Sequence, residues 1–109
     1  MPSTDVQVPF KCETHVQPGH EAIILYCMGH ITRGENAVAF RAAVADSLRR
    51  GHTIIVDLGG VERLDRVGLE ALVSLYSSAR TAGATLKYRN LKVPVSDSHR
   101  HQQIHSVAA

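Results

Sequence analysis

At 109 residues the chain has the length of one domain with room for a single modest core. Its 44% hydrophobic and 20% charged content is that of an ordinary folded domain, and a formal net charge of +2 is too small to argue for a nucleic-acid or anionic-membrane partner. No stretch approaches the roughly 20 consecutive apolar residues of a membrane span, and Met1 to Phe10 lacks the basic-then-apolar order of a signal peptide.

Residues 1–7 are polar and read as frayed. From Val8 the chain alternates, with Val8, Phe10, Cys12, Thr14 and Val16 on one side and Lys11, Glu13 and His15 on the other. That period of two predicts a half-buried edge strand over 8–16. Pro18-Gly19 is a turn signal, and Ala22 to Met28 is continuously apolar, as in a strand covered on both faces and ended by Gly29. If these two segments form a hairpin, Cys12 and Cys27 lie nearly opposite each other. Two cysteines make no disulfide framework, and they read as small apolar side chains kept reduced in a cytosol.

Thr32 and Glu35 have capping-box spacing for a helix whose buried face is Ala37, Phe40, Val44 and Leu48, with Arg41, Asp46, Ser47 and Arg49 pointing elsewhere. Arg49-Arg50 suits the negative end of that helix, and Gly51 ends it. Thr53 to Leu58 is a second short buried strand, rich in β-branched residues. Gly59-Gly60 then opens a loop running to Asp65, the N-cap of a second helix with Leu69, Leu72, Tyr76 and Ala79 as its buried stripe, supported by Leu75. Gly83 ends that helix and Thr85 to Arg89 is a last strand. In the tail, Ser96 or Asp97 could cap a short helix anchored by Ile104 and Val107. Alternation of strands and helices across short connections implies an α/β architecture with parallel crossovers.

No strong catalytic or metal constellation is present. The carboxylates Asp57, Glu62, Asp65 and Glu70 gather around one loop and helix start, where such groups cap helices and satisfy loop amides. Ser74, Ser77 and Ser78 sit mid-helix without the strand-to-helix turn of a nucleophile elbow. His101 and His105 have i, i+4 spacing, with His99 and Asp97 nearby, but this falls short of a four-ligand structural site and reads as a polar tail. His15, His20, His30 and His52 fall at strand or loop edges. Gly59-Gly60 is followed by Val61-Glu62 instead of the lysine and hydroxyl of a phosphate loop. The expectation is a chain with no cofactor, no metal and no nucleic-acid partner.

The segment from Gly29 to Asn90 carries a recognisable frame: an apolar strand ending in glycine, a helix, Gly51, a strand ending in Asp57-Leu58, then Gly60-Val61. Leu64-Asp65-Arg66-Val67-Gly68-Leu69, Ala71-Leu72 and Ala82-Gly83-Ala84 complete it. This resembles the STAS domain family, and in particular the bacterial anti-sigma-factor antagonists. The resemblance implies a mostly parallel sheet of four to five strands with an antiparallel N-terminal edge strand and two to four helices. It also implies one STAS-like domain over residues 8–109, with 91–109 divergent or weakly ordered where relatives add a leucine-rich helix.

Relatives read Asp-Ser-Ser-Gly-Leu or Asp-Ser-Thr-Gly-Leu at the loop–helix junction, and Asp65, Gly68 and Leu69 match that pattern, as Asp57 matches the strand end. The serine after the aspartate, which a partner kinase phosphorylates in switchable members, is Arg66 here, followed by Val67. The implied function is a cytoplasmic, non-catalytic regulator. It would bind an anti-sigma factor or serine kinase through Gly60, Asp65, Arg66, Val67, Gly68, Leu69 and Leu72, without phosphorylation at position 66. The alternative is an accessory subunit of a lipid-transport type membrane ATPase, and an exposed edge strand leaves a homodimer open.

Overall fold

A turn of a few residues can reverse a chain into an antiparallel neighbour, whereas parallel neighbours need a crossover long enough to hold a helix. Both devices appear in the computed structural model, which describes residues 7–19 and 22–96. The order is β1 (Lys11–Gln17), β2 (Ala22–Ile31), α1 (Glu35–Arg50), β3 (Thr53–Asp65), α2 (Arg66–Thr81), β4 (Thr85–Arg89) and β5 (Val95–Ser96). Across the sheet the strands run β1-β2-β3-β4, and β5 pairs with the far end of β3. Only β1 and β2 are antiparallel, and the other three pairings are parallel. This is the mixed α/β sheet that the sequence predicts.

The core lies between one face of the sheet and the two helices. Ile23, Leu25 and Cys27 of β2, Ile54, Val56 and Leu58 of β3, and Leu86 of β4 meet Phe40 and Val44 of α1 and Ala71, Leu72, Leu75 and Ala79 of α2. On the opposite face Ala22 and Ile24 are also buried, but Tyr26 and Met28 are partly exposed, so β2 is covered on both faces over only part of its length.

β1 begins at Lys11 instead of Val8. Phe10 and Cys12 pack against the core, with the Phe10 and Phe40 rings edge to face at 5.7 Å, while Thr14 and Val16 are exposed. The helices pack on β2, β3 and β4, so the outer strand reaches apolar neighbours only at the end nearest Phe40. Cys12 and Cys27 are cross-strand partners, and both are free thiols.

Gly29 does not end β2. It adopts φ 89° within the strand, and a side chain there would collide with the Pro9 carbonyl, 2.1 Å from an ideal Cβ.

The largest departure from expectation is β3, which runs through Gly59-Gly60 to Asp65. Its register against β2 slips twice: Tyr26 pairs with Asp57 but Met28 with Gly60, and Gly29 pairs with Val61 but His30 with Arg63. Each slip adds one residue to β3, so the buried positions step by three, Leu58, Val61 and Leu64. Two adjacent glycines and a broken alternation resemble a loop in sequence, yet pairing with β2 continues.

The helix starts also differ from each other. Thr32 and Glu35 form no capping box, and α1 begins after Gly34 without a side-chain cap. The Thr32 hydroxyl instead accepts from Gln7 Nε2, and its carbonyl accepts from Ala37 N at 2.9 Å. Ser47, expected to face outward, is buried, whereas Leu48 is only half-buried. Gly51 is the C-cap, but in extended backbone with φ −154°.

Val95–Ser96 is a short strand against Leu64 and Asp65, so Ser96 is not a helix cap. Asp97, His99, His101, Ile104, His105 and Val107 lie outside the described residues, as does His20.

Candidate functional site

The end of β3 and the first turn of α2 are held by one carboxylate. Asp65 sits in extended backbone, and its Oδ1 accepts from Gly68 N at 2.8 Å, the N-cap bond expected from its position. Its Oδ2 accepts from Arg33 N at 2.9 Å, which ties the α2 start to the turn leading into α1. Arg33 was not singled out in the sequence, since its contribution is a backbone N–H.

Gly68 explains how closely α2 sits on the sheet. An ideal Cβ there would lie 2.1 Å from the Ile31 carbonyl oxygen and 2.7 Å from Leu64 Cδ1, so only glycine permits this approach. The helix therefore buries Gly68, Ala71, Leu72, Leu75 and Ala79, and turns Leu69 and Tyr76 outward at 36% and 44% exposure. Periodicity alone placed Leu69 and Tyr76 in the buried stripe. Small side chains pack here because the backbones are close, and the larger ones flank the contact. Tyr88 fastens the middle of the helix from β4, its hydroxyl donating to the Leu72 carbonyl at 2.8 Å.

Of the residues singled out by sequence, Asp65, Arg66, Val67, Gly68 and Leu69 are consecutive around this junction. Leu72 lies one turn on but is buried, so it supports the helix from beneath. Gly60 lies five residues earlier, within β3 and exposed. The Arg66 side chain is 69% exposed, with its Nε 3.8 Å from Glu70 Oε2. An exposed pair of this kind contributes about 0–1 kcal/mol and leaves the guanidinium available. Glu62 joins no ion pair among the described residues. The first turn of α2 holds no acidic residue, and Arg33 and Arg63 are exposed alongside Arg66. The junction thus presents an exposed Arg66 at a helix N-terminus whose Gly68 amide is capped by Asp65.

Beneath the α1 start lies a buried polar network that the sequence did not reveal. Asn36 Nδ2 donates to the carbonyls of Val8 at 2.7 Å and His30 at 3.0 Å, and His30 Nδ1 accepts from Val8 N at 3.1 Å. Asparagine just inside a helix gives no sequence signal for such a role, because its partners are backbone atoms on two other segments.

Of the four carboxylates gathered around this loop and helix start, Asp57, Asp65 and Glu70 have separate partners, and Glu62 is exposed. Asp57 accepts from Gly59 N at 2.8 Å, Arg89 Nε at 2.9 Å and Asn90 Nδ2 at 2.9 Å, which fixes the first β3 bulge to the end of β4. Burial works against its charged form, but the bonds from Gly59, Arg89 and Asn90, together with the Arg89 charge, outweigh it and hold the carboxyl below its ordinary range. The Arg89 guanidinium also lies 5.9 Å from the centre of the Tyr26 ring. Among the described residues no three of His, Cys, Asp and Glu cluster as metal ligands, and no helix is long and apolar enough to cross a membrane. An open groove of about 640 Å³ beside β4 is lined by Tyr76, Arg80 and Tyr88, towards the opposite end of α2 from Asp65.

Comparison with known proteins agrees with this geometry. A family model described as Mlab, STAS domain, matches residues 15–106. Among solved structures, an antisigma-factor antagonist STAS domain from Rhodobacter sphaeroides superposes with a TM-score of 0.53 at 15% identity, over 75% of this chain and 87% of that one. An anti-sigma factor antagonist from Mycobacterium paratuberculosis gives 0.58 at 22% identity, over 72% of this chain and 66% of that one. A structure described as Mglu gives 0.59 at 22% identity over 72% of this chain, but only 19% of its own length is covered. These likenesses are of fold. No curated protein matches by sequence.

Proposed function

The chain belongs to the STAS domain family, and on that premise we propose that it is a non-catalytic regulator acting in a bacterial cytosol. It docks on an anti-sigma factor or serine kinase through the exposed part of the β3–α2 junction. The observation that carries this reading is the Asp65-capped helix start, rigidly tied to both Gly68 and Arg33, that presents Arg66 to solvent where relatives carry a phosphorylatable serine. Rigid placement matters because a surface that is already ordered loses little entropy on binding. Arginine is among the residue types enriched at the energetic centres of interfaces.

A phosphate at a helix start adds about −1.5 to −2 charge at neutral pH and changes affinity sharply. Neither Arg66 nor Val67 can carry one. Control of this protein therefore falls to abundance and competition between partners. Gly60 and Leu69 extend the docking surface from the bulged strand to the outward side of α2, and Leu72 holds that side in place.

Binding of an anti-sigma kinase from the same genome, measured by calorimetry against wild type and Arg66→Glu, tests the reading. Arg66→Glu imposes the sign of charge that phosphate would bring. Wild-type binding with at least about tenfold weaker binding by the variant, or about 1.4 kcal/mol, is the expected result. Equal binding by the two would remove Arg66 from the interface.

Arg66 in place of the phosphorylatable serine favours, over switchable antagonism, a second reading in which the same helix start grips an ATPase subunit of a membrane transport complex. Co-purification with such a complex, instead of with a kinase, distinguishes the two.

A further inference from the structure

A seven-residue strand at the edge of a sheet presents a row of unpaired N–H and C=O groups, and proteins usually blunt such edges with proline, bulges or inward-pointing charge. β1 carries few of these guards. It contains no proline, its register with β2 is unbroken from Lys11↔Met28 to Gln17↔Ala22, and among the described residues no strand pairs with its outer side. It also leaves Val16 59% exposed on the side of the strand where Cys12 meets the core.

We propose that this edge pairs with the same edge of a second copy, antiparallel about a two-fold axis through Thr14. The side-chain sequence selects that register. Around Thr14, Glu13 of each copy stands opposite His15 of the other, and Lys11 opposite Gln17. On the other face Cys12 stands opposite Val16, covering the exposed valine, and Thr14 meets itself. All seven residues of both strands are then paired. Centring on Glu13 sets like carboxylates face to face and sets Lys11 against His15, while centring on His15 sets the two imidazoles together and leaves Lys11 unpaired. Like charges directly opposite each other in a sheet are destabilising.

The side chains are already arranged for the Thr14 register. His15 Nε2 lies 3.5 Å from Glu13 Oε1 within the strand, and its ring stands edge-on to Tyr26 at 5.1 Å. Both groups therefore project from one face, where the second copy would present the same pair in reverse order. The four-strand order β1-β2-β3-β4 becomes a continuous sheet through both molecules. Two seven-residue edges bury less than the roughly 1,200 Å² of a standard stable interface, so the association is weak and concentration-dependent.

The proposed contact uses β1 residues 11–17 and none of residues 60–72, so the proposal does not rest on the docking reading. Sedimentation equilibrium of the full chain, from about 10 μM to about 1 mM, is the test, a range that suits a weak interface of this size. Wild type is expected to move from the 11.9 kDa of one chain towards twice that mass. Val16→Asp and Glu13→Arg, both at exposed positions, should each weaken association at least about tenfold. The double variant Glu13→Arg/His15→Glu restores opposite charges in this register and should recover association. Wild type remaining a single chain throughout, single variants associating like wild type, or a double variant that stays dissociated would each overturn the proposal.

Discussion

Asp57 and Asp65 are both carboxylates of β3, one at its first bulge and one at its end, but they serve different purposes. Asp65 spends its oxygens on two backbone amides, and replacing it with alanine should cost about 0.5–2 kcal/mol in a denaturant titration, the usual range for a lost N-cap. Asp57 binds two side chains and an amide while nearly buried, so Asp57→Asn leaves part of that network unsatisfied, at about 1–3 kcal/mol. Its folded pKa lies below the unfolded value. The stability it contributes is therefore complete above the ordinary carboxylate pKa and is lost as pH falls through the folded one. Acid titrations of stability should be less steep for Asp57→Asn than for wild type.

The cysteines separate in the same way. Burial pushes the Cys27 thiol up to about 12, whereas Cys12 is half-buried and raised less. In native protein near pH 8, a thiol reagent should modify Cys12 first and reach Cys27 only on unfolding, as mass spectrometry of a time course would show.

At the level of elements, the legible parts were those governed by local chemistry. The Asp65 cap, the Gly83 stop with its positive φ, and the bounds of β4 all follow from residues acting on near neighbours. Features set by distant contacts were not legible. The Thr32–Glu35 box had the right spacing, but Gln7 claims the threonine hydroxyl from 25 residues away. The β3 bulges turn a period of two into steps of three, so a strand looked like a loop. The rotation of α2 depends on the Ile31 carbonyl, which no helical periodicity contains. Gly68→Ala tests that seating directly. Alanine normally favours a helix by about 1 kcal/mol over glycine, but here its methyl group meets backbone, and a net loss of about 1–3 kcal/mol is expected in thermal or denaturant unfolding. A gain in stability would mean that α2 does not rest on Ile31 as described.

At the level of the whole molecule, β3 is the spine. It pairs with β2, β4 and β5, and its bulged second half delivers Asp65 to the end of the sheet where both helices start. The family frame was readable because it lies in short motifs along this path, notably Asp57-Leu58, Gly60-Val61 and Asp65 with Gly68-Leu69. What Arg66 does was not readable from the frame, since its side chain makes one loose ion pair and otherwise faces solvent.

The most direct test of this account is to incubate the protein with ATP and an anti-sigma kinase from the same genome, then measure binding and map phosphate together. A stable complex that ATP does not dissolve, with no phosphate on residues 65–78, is the expected result. Phosphate within that segment, or no complex with any such kinase, would contradict it.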